Sequence, residues 1–214
     1  MALKKAKGNT SLNPKRVGTR KPKRRYLIFC EDTYGGTTYF SRMKEEHRFS
    51  NVSIKVGDEH GEPYKLVRAA QKRQNSTHRR RSDQGTEYDE VWCVVDVEAP
   101  KSHESLDRAA QLARDNGIKI AYANPCFELW LLLHQGDVGG YLTSSQAAAK
   151  MKALKCCYTE GKDFDPSHFV GQPQQDAIER AERLARRHEG AAQPWGKNPW
   201  TDIHVLVRQL LKDA

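Results

Sequence analysis

The chain has 214 residues, 37% hydrophobic and 29% charged, enough to enclose one sizeable core. No apolar run approaches the roughly 20 residues that span a bilayer, and the basic N-terminus has no apolar segment behind it, so a cytoplasmic protein without secretory leader or membrane attachment is expected. The formal charge of +9 is concentrated: residues 1–25 hold ten basic side chains and no acidic one, leaving the rest at about −1.

Residues 1–24 are rich in Lys, Arg, Gly, Asn and Pro, which predicts a disordered basic tail. Such an arm suits nucleic acid, because each phosphate it contacts releases a condensed counterion; the competing reading is a solubilising tail. Its candidate nucleic-acid-binding residues are Lys21, Lys23, Arg24 and Arg25. Tyr26-Leu27-Ile28-Phe29-Cys30 is a short apolar run typical of a buried strand, and Glu31 and Asp32 follow at once. Gly35-Gly36 marks a turn, 37–48 read as a helix, 52–56 suit a second strand, and Leu66, Val67 and Ala70 place a helix over 64–74. The polar segment 75–87 predicts an exposed loop. Its Arg79, Arg80 and Arg81 are either a solvated run or a phosphate clamp.

Val91-Trp92-Cys93-Val94-Val95 is the clearest strand, with Asp96 and Glu98 at its end. Leu106, Ala109, Ala110 and Ala113 recur at helical spacing, with Ser102 as the predicted cap and Gly117 as the stop. Residues 118–123 are the next strand, and Pro125 opens an apolar helix over 127–134. Helices near 143–155, 173–188 and 201–212 complete the chain, the last with Thr201 as its predicted cap. Trp92, Trp130 and Tyr122 read as core; Trp195 and Trp200 are surface contacts or an anchor for the last helix. Strand–helix alternation predicts an α/β fold: a mostly parallel central sheet with helices on both faces over 25–140, plus a helical C-terminal extension over 141–214. Five cysteines, none in a C-x-x-C pair, argue against a disulfide framework or a thiolate zinc site.

Open parallel sheets bind ligands outside the carboxyl ends of their strands. Here those ends are acidic: Glu31-Asp32 after the first strand, Asp96-x-Glu98 after the third, and Glu128 shortly after the fourth. Carboxylates gathered at one edge repel each other, and Mg2+ or Mn2+, which prefer carboxylate oxygens, offset that repulsion. Residues i and i+2 of an extended segment point the same way, so Asp96 and Glu98 are expected to reach one cation. Such cations polarise phosphates and activate water. No phosphate loop, nucleophile elbow or H-E-x-x-H motif offers another chemistry. Glu31, Asp96 and Glu98 are therefore candidate metal ligands and catalytic residues. Glu128 and His134 are further catalytic candidates, His134 as a general acid. Their structural alternatives are a Glu128 bonded to backbone or arginine and a His134 at a helix end that favours its charge.

Four segments resemble the RloB-like family, whose members adopt a Toprim-like fold: Leu27-Ile28-Phe29-Cys30-Glu31 with Tyr39-Phe40, then Val94-Val95-Asp96-Val97-Glu98, then Asn124-Pro125-Cys126-Phe127-Glu128-Leu129-Trp130-Leu131-Leu132-Leu133-His134, and Asn198-Pro199-Trp200-Thr201. The resemblance implies a metal-dependent nuclease in prokaryotic anti-phage defence or abortive infection, with a partner ATPase; DNA or RNA, such as transfer RNA, is the expected substrate, and a homo-oligomer is compatible with the sequence. It implies that Glu31 acts as general acid, base or ligand, and that Asp96 and Glu98 are ligands. The sequence departs from the family pattern in two places. Glu98 replaces the second Asp of a D-x-D pair, and Asp32 with Gly35-Gly36 stands where the family has a Gly and then Thr-Glu. A catalytically degenerate nucleic-acid-binding effector or adaptor is the alternative.

Overall fold

The computed structural model describes residues 23–49, 52–79, 88–154 and 165–214. Most of the expected tail, including Lys21, and also Arg80 and Arg81, lie outside the described residues.

Strand β1 (Arg24–Cys30) buries its last five residues completely or nearly so. That pattern suits a central strand covered on both faces. It pairs in parallel with β2 (Val52–Val56) on one side and β3 (Glu90–Asp96) on the other. Strand β4 (Lys119–Asn124) continues the parallel sheet beside β3. A two-residue β5 (Trp200–Thr201) closes it antiparallel, giving the order β2-β1-β3-β4-β5. The helices are α1 (Gly35–His47), α2 (Pro63–Arg79), α3 (Leu106–Asp115), α4 (Glu128–Gln135), α5 (Ser144–Ala153), α6 (Gln172–Arg187) and α7 (Ile203–Asp213).

Alternation along the strands divides the core. Tyr26, Ile28, Cys30, Trp92, Val94, Ala121 and Ala123 face α1 and α4 to α7. Leu27, Phe29, Val91, Cys93, Val95 and Tyr122 face α2 and α3. This is the expected Toprim-like α/β architecture, a mostly parallel sheet with helices on both faces and a helical C-terminal region. Trp92, Trp130 and Tyr122 are core residues as read. Trp200 is also buried, with Trp195 packed beside it, so both anchor the C-terminal region on the sheet.

Several boundaries differ from the expectations. Helix α2 runs to Arg79, because the polar residues 75–79 contain no Gly or Pro to stop it. Helix α3 begins at Leu106 with Ser105 at its cap position. Ser102 belongs instead to a loop closed by the His103 N–H donating to the Val97 carbonyl (3.1 Å). Helix α4 starts at Glu128, three residues after Pro125. Thr201 lies in β5, donating to the Tyr122 carbonyl (2.8 Å) while accepting the Ile203 N–H (3.1 Å); Asp202 holds the cap position.

At the amino edge of the sheet, the buried Glu90 carboxylate accepts from Arg24 (2.6 Å), Trp92 Nε1 (2.7 Å) and Lys119 (3.0 Å). Arg24 also pairs with Asp213 of α7 (3.2 Å). The base of the basic arm is thus fixed to this edge.

His134 is buried among Tyr39, Trp130 and Phe169. Its Nδ1–H donates to the Trp130 carbonyl (2.8 Å), which leaves Nε2 facing the Tyr39 hydroxyl (3.4 Å). Burial lowers its pKa from 6.5 to about 4. The stability this neutral ring contributes is full above about pH 6.5 and is lost as pH falls through 4, by up to about 3 kcal/mol. His134→Leu should lose about 1–3 kcal/mol at pH 7 and show a shallower decline between pH 6.5 and 4 in urea titrations. An unchanged acid decline would refute this assignment.

Candidate functional site

Strands β1 and β3 run side by side in parallel, with Cys30 opposite Val94. Glu31 and Asp96 therefore leave the sheet together at its carboxyl edge. The Asp96 N–H donates to Glu31 Oε2 (2.9 Å), and the Glu31 N–H donates to the Val94 carbonyl (3.3 Å). Glu31 Oε1 meets His103 Nε2 at 3.1 Å. His103 was not singled out by sequence: its approach to Glu31 depends on the folding of the 97–105 loop, and no spacing between the two residues signals it.

Glu98 is placed differently from the extended i, i+2 arrangement expected. The strand ends at Asp96, and Glu98 adopts φ +70°, a left-handed conformation that side chains rarely take. Strand alternation no longer decides its direction. Its N–H donates to the Pro125 carbonyl (2.7 Å), and its carboxylate accepts from Ser144 Oγ (2.5 Å) at the start of α5. Its charge still reaches both Glu31 and Asp96.

Glu128 is buried in the first turn of α4. It accepts a hydrogen bond from the Cys126 thiol, and its charge acts on Asp96. Asp32 Oδ1 accepts the N–H groups of Gly35 (3.0 Å) and Gly36 (3.2 Å), so it organises the start of α1. Space explains the two glycines: a Cβ at Gly36 would lie 2.9 Å from Cys30 Sγ, and one at Gly35 3.2 Å from the Phe127 ring.

The electrostatic consequence is a shared upward shift. Burial pushes Glu31 up to about 7; the Asp96 N–H partly counters this, while Glu98, Asp32 and Glu62 add to it. Burial, then Glu31 and Glu128, push Asp96 well above the usual carboxylate range. Among the described residues, no three His, Cys, Asp or Glu side chains already converge as a metal-coordinating group. The donor chemistry nonetheless fits a hard divalent cation: carboxylate oxygens from adjacent strand ends whose mutual repulsion such a cation relieves.

The remaining candidates lie elsewhere. His134 faces the aromatic core, held neutral by burial, and the carboxylates of the edge are not among its contacts. It is neither a charged helix-end residue nor placed to act as general acid at that edge. Arg24 and Arg25 stand at the amino end of β1, about 23 Å along the strand from Glu31. Helix α2 likewise returns the backbone of Arg79 to the amino edge, since it runs antiparallel to the strands between β2 and β3. Arg79, read from the sequence as part of a solvated run or a phosphate clamp, is thus carried to the end of the sheet opposite the acidic edge.

Glu31 carries a pH signature. Its ordinary pKa of 4.5 rises to about 7 on folding. The stability contributed by its protonated form is therefore full below about pH 4.5 and lost as pH rises through 7. Metal-free Glu31→Gln should exceed wild type by up to about 3 kcal/mol at pH 8, with the gap closing toward pH 4.5. Urea titrations in chelator at both pH values check this, and equal stabilities at pH 8 contradict it.

A family model described as RloB-like protein matches residues 26–210, from the buried part of β1 into α7. A search of curated proteins finds no match. No helix among the described residues is long and apolar enough to cross a membrane. The family match takes in every acidic residue of the carboxyl edge and most of the sequence, and the chain belongs to the RloB-like family.

Proposed function

We propose that this protein cleaves phosphodiester bonds in nucleic acid, using Mg2+ or Mn2+ held by Glu31, Asp96 and Glu98. The observation that carries this reading is the gathering of Glu31, Asp96, Glu98 and Glu128 at one sheet edge, where burial and the surrounding carboxylates raise the proton affinity of Glu31 and Asp96. When bound, such a cation polarises the phosphate and lowers the pKa of water. In the metal-free protein burial favours the protonated form of Glu31, and a cation at this edge would favour its ionised, ligating form. His103 on one oxygen and the Asp96 N–H on the other fix the orientation of its carboxylate. Glu128 adds negative charge behind Asp96. DNA or RNA, including transfer RNA, is the proposed substrate, and cytoplasmic anti-phage defence beside a partner ATPase is the proposed setting.

A second reading is a nucleic-acid-binding effector or adaptor without catalysis. It is favoured by the turn that engages Glu98 with Ser144 and by the lack of a preassembled ligand group among the described residues.

Labelled DNA, RNA and transfer RNA incubated with purified protein should be cut only with Mg2+ or Mn2+. Glu31→Gln and Asp96→Asn should each lower the rate at least about 100-fold. Wild-type rates in both variants would sink the assignment. Calorimetry separates the two readings: manganese binding that disappears in Asp96→Asn supports the nuclease, whereas no heat of binding in wild type supports the adaptor.

A further inference from the structure

We propose that the exposed face of α2 is a track for the phosphate backbone of a nucleic acid strand, leading from the amino edge of the sheet to the acidic edge. Helix α2 carries Lys65, Arg68, Lys72, Arg73 and Arg79, and no Asp or Glu in its 17 residues. Outside the first 25 residues the chain is close to neutral, so this helix is a local excess of positive charge. The cations share a face. Leu66, Val67 and Ala70 are buried against the sheet, while Lys65, Arg68 and Lys72 are exposed, and Arg73 is partly exposed. A cleft of about 490 Å³ is lined by Lys65, Arg68, Lys72 and Arg73 together with Glu59, and Lys65 also pairs with Glu62 (3.6 Å), so the cations outnumber the carboxylates along it.

The length of this face suits the ligand. Lys65 to Arg73 spans about 12 Å of helix axis, and one strand of duplex DNA presents a phosphate about every 3.4 Å along its axis, so the four cations cover about three to four phosphates. Its direction suits it as well. The last turn of α2 lies at the amino edge, where Arg24 at the base of the basic arm is held. The first turn lies at the acidic edge: the Gly61 N–H donates to the Glu31 carbonyl (3.0 Å), and Glu62 acts electrostatically on Glu31. There a second cleft of about 640 Å³ joins Tyr64 and Arg108 to Glu98 and His103. Arg108 stacks over the Tyr64 ring at 4.3 Å, carrying positive charge to the rim of the acidic group. An anionic membrane is the poorer fit, because the basic face carries no large apolar side chain to insert beside the charges.

The track deepens the proposed nuclease reading and rests on it for its polarity, but binding is measurable without cleavage. The test uses the full chain in chelator, with labelled single- and double-stranded DNA and RNA, at 50 to 200 mM salt. The triple variant Lys65→Gln, Arg68→Gln, Lys72→Gln should bind more weakly, with a log–log salt slope shallower by about 2.7. Wild-type affinity should then fall about 40-fold more steeply across that range than the variant's. The charge-preserving Lys65→Arg, Arg68→Lys, Lys72→Arg should keep the wild-type slope, which separates charge from folding. Binding is read in chelator, where no metal-dependent cleavage occurs, so a failed nuclease reading leaves this result legible. An unchanged slope in the triple variant, or no nucleic-acid binding by wild type, overturns the track. So does loss of binding confined to anionic phosphatidylserine vesicles, which would assign the face to a membrane.

Discussion

The hydrogen bond from the Asp96 N–H to Glu31 Oε2 joins the ends of two neighbouring parallel strands, and the chemistry proposed here depends on it. A parallel pair delivers both carboxyl ends to the same edge, so the residues that follow β1 and β3 must meet. Placing two partly buried carboxylates there is costly, and their charged forms are disfavoured by desolvation and by each other. The backbone N–H supplies one compensating interaction, and His103 supplies another to Glu31. What remains uncompensated is negative charge that the proposed divalent cation would offset.

The strand–helix alternation was legible because each buried strand is a short apolar run, and the helices packed on the sheet show 3.6-residue spacing. Strand β5 was hidden because two residues cannot show a period; Trp200 and Thr201 become a strand only through pairing with β4. Glu31 and Asp96 were legible because they end apolar runs. The direction of Glu98 was not, since its left-handed turn depends on tertiary bonds to Pro125 and Ser144, residues distant in sequence. His134 illustrates the opposite limit. Its polarity drew a functional reading, yet its ring meets the backbone of Trp130 and Phe169 and the Tyr39 hydroxyl within an aromatic cluster.

Net charge also concealed organisation. A body near neutrality suggests an evenly mixed surface, but apart from the paired Glu90 and Asp213 of the amino edge the fold largely separates the signs. Acidic residues collect at the carboxyl ends of the strands, and cations occupy the arm base at the amino edge and one face of α2. Such separation draws a polyanion toward the molecule through its basic surfaces, while the acidic edge repels the polyanion unless a cation intervenes. In the proposed function, metal binding and substrate approach would then be physically linked.

A crystal structure soaked in manganese tests the central claim most directly, because anomalous scattering locates the ion independently of any activity. A manganese peak bound by Glu31 and Asp96 is expected, with Glu98 turned from Ser144 to join them. A fully soaked crystal with no peak at this edge, or with the ion bound only elsewhere, would contradict it.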